Sequence, residues 1–550
     1  MDFFQAHLLS IITFVPLAGA VLLAFLPKDE AGQIRVIAFI TSLVGFGVSL
    51  PLAWLYDRQA GGLQFQEHAP WIPSLGISYH LGADGIAIVL VLLTTFLAPI
   101  VIVSTWGSIH RRVKELMIAI LILQTAMIGA FVALDLVLFY VFWELMLVPM
   151  YLIIGIWGSE RRIYAAVKMF LFTAAGSLLM LVGILYLYWQ TKALPGGAPS
   201  FDYGAMLQVP LTHPQEAWLF AAFAVAFAIK VPIWPLHTWL PDAHVQAPAA
   251  GSIILAGVLL KMGTFGFVRY AMPLFPWATH HFAPIVGWLG VIGIVYGSFM
   301  SMAQTDMKKL IAYSSVAHLG FVMVGLMALS TIAASGAVLQ MVNHGISTGA
   351  LFLLVGYMYD RRHTREISAY GGQAKATPVL AAIFLVVTLS SIGLPGTNGF
   401  VGEFLILLGT FSSHATFGIA WGVVGATGVI LGAVYMLTLY QKAYLGPMTH
   451  PEVKKTKDLS KREIFTLVPL LLGIVFIGVY PQPVLNLIEK PVADVVARVS
   501  PQAVAPAAPA VRPGTERPFR VLAPQIWRLS PQLRQELLRR SHHRVPSPMH

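Results

Sequence analysis

Cysteine is absent from the 550-residue chain, and charged residues make up only 11% of it. The first absence excludes disulfide frameworks, zinc ribbons and cysteine-ligated iron–sulfur centres. The second excludes a soluble globule, because water-facing surface must be polar and an average soluble domain carries about 25% charged residues. No glycine-rich dinucleotide fingerprint, Walker A motif or hydrolytic triad is found. The paired histidines His280–His281 and His542–His543 are adjacent, not at the i, i+4 spacing of a helical metal site. The sequence shows no means of binding NADH, flavin, haem or a metal cluster.

What fills the chain instead is apolar. Hydrophobic residues make up 57% of it and the mean hydropathy is +0.75, which excludes disorder and describes a polytopic membrane protein. The net charge of +11 does not indicate a nucleic-acid partner, because +7 of it lies in residues 490–550. Fourteen stretches are long and apolar enough to span a bilayer: 8–26, 33–56, 84–106, 115–133, 135–157, 164–190, 217–240, 249–272, 283–302, 308–329, 331–358, 376–411, 416–443 and 464–487. The first lacks the basic flank of a signal peptide and reads as an uncleaved anchor. Loops after odd-numbered spans carry 19 Lys/Arg and loops after even-numbered spans carry 3. By the positive-inside rule both termini face the outer, periplasmic side of a bacterial inner membrane. A basic tail on that side runs against the rule.

Four charges lie inside spans: Glu144, Lys230, Lys261 and Glu403. A charge at a helix centre costs about 2.5 kcal/mol or more on insertion scales, so such groups face protein or water and interact with one another. Groups of both signs at similar depth are what a proton relay requires, since moving a carboxylate toward or away from a buried amine loads or unloads it. Spans seven and twelve are interrupted, the first by Pro232, Pro235 and Pro241, the second by Gly393, Pro395, Gly396 and Gly399. Broken helices in corresponding halves mark the ion path of inverted-repeat transporters. Five spans separate the two breaks, which fits two inverted five-helix repeats, spans 4–8 and 9–13. His318, His344 and His237 lie at depth and are candidate relays. His244, beside Asp242, reads as structural or as a gate, and Ser314, Ser315, Asn343 and Thr348 as groups that hold water. The chain divides into residues 1–83 (two spans and a loop), 84–272 (spans three to eight), 273–443 (spans nine to thirteen), 444–490 (a loop and span fourteen) and a Pro/Ala-rich, then basic, tail over 491–550. The tail reads as a disordered or peripheral extension, or as a contact with anionic lipid or a neighbouring subunit.

The segments FYVFWELMLVPMYLIIGIWG, AFAIKVPIWPLHTWLPDAHVQAPAAGSIILAGVLLKMGTFGFVRY, QTDMKKLIAYSSVAHLGF and LPGTNGFVGEF closely resemble the antiporter-like membrane subunits of respiratory complex I, in order from about residue 84 to 445. Glu403 stands where most branches of that family carry lysine, and this resembles the M-type branch. The resemblance implies a proton-translocating subunit of NADH:quinone oxidoreductase without a redox centre of its own. NADH, FMN, Fe–S clusters and quinone would belong to partner subunits, and sister antiporter-like chains would flank this one in the bilayer. It also implies roles. Lys230 resembles the central lysine of an input half-channel paired with Glu144, Lys261 the connecting lysine, His318 the link from Lys261 to Glu403, and Glu403 the residue that exchanges its proton with the outer side. His344 is a further group on that axis. Three other readings share these features: a subunit of a cation/proton antiporter, the membrane arm of a hydrogenase-type complex, and a non-pumping structural spacer.

Overall fold

The computed structural model describes residues 3–413 and 417–500. In chain order the principal elements begin with α1 (Leu8–Phe25) and α2 (Ala31–Leu55), a hairpin of β1 (Gln64–Ile72) and β2 (Ile77–Ala83), then α3 (Gly85–Ser104), α4 (Val113–Val132), α5 (Leu136–Trp157) and α6 (Arg162–Ala193). They continue with α7 (His213–Lys230), α8 (Trp239–Gln246), α9 (Ala249–Leu274), α10 (Pro276–Met302), α11 (Met307–Met327) and α12 (Thr331–Arg362). The last are α13 (Pro378–Ser391), α14 (Asn398–Phe411), α15 (Gly418–Tyr444), α16 (Lys461–Val479) and α17 (Gln482–Val499). Among the described residues, twelve helices are long and apolar enough to cross a membrane. The expected spans outside that set are seven and twelve, the two expected to be broken; they appear as the pairs α7/α8 and α13/α14.

Helix starts follow the sequence. Asp84 accepts from Ala87 N at 2.9 Å, Asp135 from Val137 N at 2.9 Å and Asp306 from Lys308 N at 2.8 Å, each satisfying an amide that has no partner in the first turn. Ser460 and Glu463 form a reciprocal capping box on α16. The innermost helices are α9, α11 and α12, buried almost end to end, while α2, α6, α15 and α16 keep apolar faces outward. That is the pattern of a bundle solvated by lipid at its rim.

The loops after odd-numbered spans meet at one end of the bundle. There Arg35 donates to Ile109 O at 2.6 Å, Lys114 to Leu26 O at 2.7 Å and Arg111 to Ile156 O at 2.6 Å; Lys168 pairs with Asp242 at 2.6 Å, and Arg361 grips Glu463 at 2.8 and 2.7 Å. The loop cations therefore share one face, called here the basic end.

The opposite end holds a hairpin that the sequence pattern treated as loop. Its register pairs His68 with His80 and Ile72 with Ile77. It is fastened by Asp135, which accepts from Ser78 N at 2.8 Å, and by His80 on Asp202 at 2.6 Å. Burial disfavours the ionised Asp202 carboxyl, but its bonds from His80 and from the Ala205 amide outweigh this and hold it below its usual range.

Two further expectations need correction here. Span fourteen does not run to 487: α16 ends at Val479, before a Tyr480–Pro481 break. The tail does not begin at 491, because α17 continues helical to Val499. The signal is amphipathic, with Leu487, Ile488, Val492, Val496 and Val499 buried while Glu489, Lys490, Asp494 and Arg498 face outward. The alternation was masked by reading Leu485–Ile488 as the end of a long apolar run. The remaining tail, and with it the contrast between its charge and the topology rule, lies outside the described residues. Arg498 anchors α17 by donating to Pro273 O and Leu207 O, both at 2.6 Å. Gly85, at the head of α3, seats the helix so closely that a Cβ there would lie 1.6 Å from Leu487 O. Gly85→Val is expected to displace α17 at a cost of about 1–3 kcal/mol. Limited proteolysis of the assembled complex checks this, with new cleavage between 480 and 500 as the expected result.

Candidate functional site

The site is built where two helices stop. In α7 the run of helix-forming residues ends at Lys230 because Pro232 and Pro235 carry no amide hydrogen and clash with the preceding turn. The freed carbonyl of Ile229 is taken by the Trp239 indole, which donates to it at 2.8 Å. In the second break Gly393 (φ +74°) and Gly396 (φ +91°) adopt left-handed backbone that suits glycine. Asn398 knits the ends together. Its Oδ1 accepts from Ser390 Oγ at 2.6 Å, and its carbonyl accepts from Asn343 Nδ2 at 2.7 Å. Lipid could satisfy none of these groups, so protein does.

Lys230 is buried with its Nζ 4.4 Å above the Trp143 ring, a cation–π contact, and without a hydrogen-bond partner among the described residues. Glu144 Oε1, on α5, is likewise buried and unpartnered. The expected Glu144–Lys230 pair is thus brought into one neighbourhood without a closed ion pair. A small cavity with room for about one water molecule borders Lys230, Trp239, Leu255 and Leu259.

Lys261 is 0% exposed. It stands between two π-helical turns of α9, Leu255–Leu259 and Phe267–Ala271. Such turns leave carbonyls out of the regular ladder, and Lys261 Nζ donates to one of them, Ala256 O. Its second contact is His344 Nδ1 at 2.7 Å. The His344 ring stands edge-on to His318, with centroids 5.7 Å apart. His318 Nδ1 lies 3.1 Å from Glu403 Oε1, which also accepts from Gln340 Nε2 at 3.2 Å. Glu403 Oε2 rests against Gly393, where a Cβ would come within 2.8 Å.

The line runs Lys261, His344, His318, Glu403, so the link expected of His318 between Lys261 and Glu403 passes through His344 as well. His318 does not touch Lys261; His344 does, and His318 is the neighbour of Glu403. Sequence spacing could not decide this, since it depends on how α11 and α12 face each other. His237 is not joined to the line: its ring packs on Tyr296 at 5.1 Å and its Nδ1 has no partner. His244 stacks on Phe352 at 4.5 Å with both ring nitrogens unpartnered. Ser314 and Ser315 donate to Ile311 O within their own helix.

Residues that the sequence reading passed over complete the site. Gln340 binds Glu403, and Ser391 and Tyr435 line a second small cavity with His318 and Glu403. A signal for Gln340 was available. Gln340, Asn343, His344 and Ser347 recur at helical spacing and form one polar stripe on an otherwise apolar helix. Among the described residues, no group of three or more His, Asp or Glu is placed to hold a metal ion.

A lipid-facing helical bundle enclosing a line of buried amines, imidazoles and carboxylates defines an ion-translocating membrane protein of the antiporter-like class. The family model for the transmembrane region of NADH:quinone oxidoreductase and Mrp antiporters matches residues 133–428, and the chain belongs to that family. It is 48% identical over 501 residues to NADH-quinone oxidoreductase subunit M of Rhodobacter capsulatus, covering 89% of this chain and 96% of that one. The subunit M of Rickettsia prowazekii (strain Madrid E) is 43% identical over 497 residues, covering 89% and 99%. Among solved structures, a chain of respiratory complex I from Thermus thermophilus with bound NADH superposes with a TM-score of 0.80 at 30% identity, covering 89% of this chain and 99% of that chain.

The Gly393–Glu403 contact gives a test of the site's packing. Gly393→Ala introduces a side chain into left-handed backbone, at about 1–2 kcal/mol, and pushes on Glu403 Oε2. The variant complex is expected to assemble with a lowered melting temperature, measured by thermal unfolding in detergent.

Proposed function

We propose that this chain is a proton-translocating subunit of the membrane arm of NADH:quinone oxidoreductase, and that Glu144, Lys230, Lys261, His344, His318 and Glu403 carry the proton. Electron transfer takes place in partner subunits, and its energy reaches this chain as movement of charge along the buried line. The observation that carries the reading is the segmented line itself. Lys261–His344 and His318–Glu403 are hydrogen-bonded pairs, while Glu144–Lys230 and His344–His318 stand near one another without a closed bond.

Each closed pair can hold a proton at either end. Lys261 as an ammonium donates to a neutral His344; if the proton shifts, His344 is the cation and Lys261 the neutral acceptor. His318 as an imidazolium donates through Nδ1–H to the Glu403 carboxylate; if the proton passes to Oε1, His318 is left neutral and Glu403 is the neutral acid. Each open junction is a place where transfer waits for water or a side-chain movement. When Glu144 approaches Lys230 the ammonium form is favoured; when it withdraws, the proton is released toward Lys261. Moving one charge across the membrane requires about 2.3 kcal/mol per 100 mV, a size that a few such charge rearrangements can meet. His237, on the break between α7 and α8, is retained as an accessory group between Lys230 and the basic end.

The two broken elements, each beside a titratable group, support inverted repeats over spans 4–8 and 9–13. The clustering of loop cations supports assigning the basic end to the cytoplasm of a bacterial inner membrane and both termini to the periplasmic side. Glu403 and the full-length likeness to M subunits favour complex I over a cation/proton antiporter or a hydrogenase-type arm. The structural-spacer reading assigns no use to a buried unpartnered lysine beside an unpartnered carboxylate.

Lys230→Ala and Glu144→Gln are expected to leave the complex assembled and its NADH:ferricyanide activity intact. Quinone-coupled turnover and proton pumping in vesicles should both fall by about a hundredfold, the low end of what loss of a proton-transferring group does. Wild-type pumping in either variant would sink the assignment.

A further inference from the structure

Away from the proton line, at the basic end, two guanidinium groups converge on one loop. Arg35, near the start of α2, donates through Nη2 to Ile109 O at 2.6 Å, while its Nε is buried and unpartnered. Arg462, in the first turn of α16, lays its Nη2 over Gly107, in the place a Cβ would occupy. Both guanidiniums thus rest on the same three-residue stretch of the loop between α3 and α4, close enough to feel each other's charge. Among the described residues neither forms an ion pair. Around them cations outnumber acids: Arg111, Arg112 and Lys114 add charge of the same sign, against Asp360, which lies within electrostatic reach of Arg462. Two like charges held at the edge of a low-dielectric slab favour an anion beside them.

The surface leading away from the pair says which anion. α2 and α16 both pack on α3 and scarcely touch each other, so a furrow floored by α3 separates them. On α2, Phe39 and Phe46 follow Arg35 on the same helical face and are half-buried. Phe39 lies 6.4 Å from Trp106, and Phe46 lies 5.9 Å from Phe96 of α3. On α16, Phe465, Leu472 and Phe476 continue the stripe headed by Arg462 and are 61%, 65% and 50% exposed. The furrow is cationic at its head and apolar for about 16 Å, roughly the depth of one leaflet. A free inorganic anion would use only the head; a phosphodiester carrying acyl chains uses both. Guanidinium forks match phosphate oxygens two at a time, and basic pockets between helices on the basic side are where anionic headgroups dock.

We propose that Arg35 and Arg462 clamp the phosphate of one anionic phospholipid whose acyl chains lie in the furrow between α2 and α16, over Phe46 and Phe96. The lipid would fill the seam between the two N-terminal helices and the α16 face, bracing α3 from outside. The proposal is independent of the proton route, since none of these residues belongs to it.

The test uses the assembled complex. Wild type and the double variant Arg35→Gln/Arg462→Gln are washed in detergent, and retained phospholipid is counted by native mass spectrometry of the released membrane subunits. Wild type is expected to keep one phosphatidylglycerol or cardiolipin on this chain that the variant loses, with occupancy at least about fivefold lower. Equal retention overturns the proposal. A second measurement needs no variant. Wild-type complex in nanodiscs containing phosphatidylglycerol with a diazirine at the acyl terminus should be labelled within 36–50 or 465–479. Label spread evenly over the lipid-facing helices overturns the site. So does protection of the arginines from phenylglyoxal by inorganic phosphate without lipid labelling, which assigns a free anion. Photo-cross-linking from position 465 into a neighbouring subunit overturns it as well, because protein then occupies the furrow.

Discussion

Hydrocarbon can solvate neither a charge nor an unpaired peptide group, and the architecture of this chain follows from that inability. It is why the outer helices carry apolar faces and why α9 can be π-turned and charged only at the centre of the bundle, between buried α11 and α12. It also explains the residues at the breaks. Each break frees backbone groups that must find protein partners, so the Trp239 indole sits on Ile229 O and Asn398 bridges Ser390 and Asn343. The polar side chains needed to close the backbone are the same ones that make the interior wet enough for titratable groups. In this sense the breaks and the buried charges are one feature.

A relay built under that constraint cannot be a continuous wire. If all six titratable groups were paired at once, each would be held in one protonation state and nothing would move. If none were paired, the desolvation penalty would remove the charges. The observed compromise alternates closed pairs with open junctions. Lys261 is held by Ala256 O and His344, and Glu403 by His318 and Gln340, so the central groups are well supported. Lys230 has no such bond, only the Trp143 face, and Glu144 Oε1 has no partner. The least-supported charges lie at the junction where an approach or withdrawal has the largest effect on the proton, and the best-supported ones lie where a proton is stored.

How much of this was legible in the sequence depends on which physical signal each part leaves. Spans leave a run of about 20 apolar residues, and twelve of the fourteen read that way are single helices. Breaks leave Pro and Gly, and both were readable. The four intramembrane charges were readable because each contradicts its surroundings. What escaped leaves no such local signal. The hairpin fell in a stretch read only as a connection between spans, and it is stabilised by Asp135 and Asp202, which lie far along the chain. Helix α17 escaped because its apolar residues continue a span. That His344 stands between Lys261 and His318 is a property of the α11–α12 interface and leaves no mark in the sequence of either helix. Gln340 was missed for a different reason: its helical-period stripe was present but went unread among the larger signals.

The distribution of positive charge carries one more consequence. Orientation requires cations at the basic end, but nothing in that requirement asks for two guanidiniums to share one loop. Most of the basic-end cations end on a carbonyl or a carboxylate: Arg111 on Ile156 O, Lys114 on Leu26 O, Lys168 on Asp242, Arg361 on Glu463. Each of these ties two loops together and is spent in doing so. Arg35 and Arg462 tie themselves to the same loop and keep donors unspent, above a furrow that protein does not fill. The same inability of hydrocarbon to hold a charge, which at the centre of the bundle forces amines and carboxylates into pairs, operates at the rim on these two residues. There the partner that can meet it from outside the chain is one with an anionic head and apolar tails.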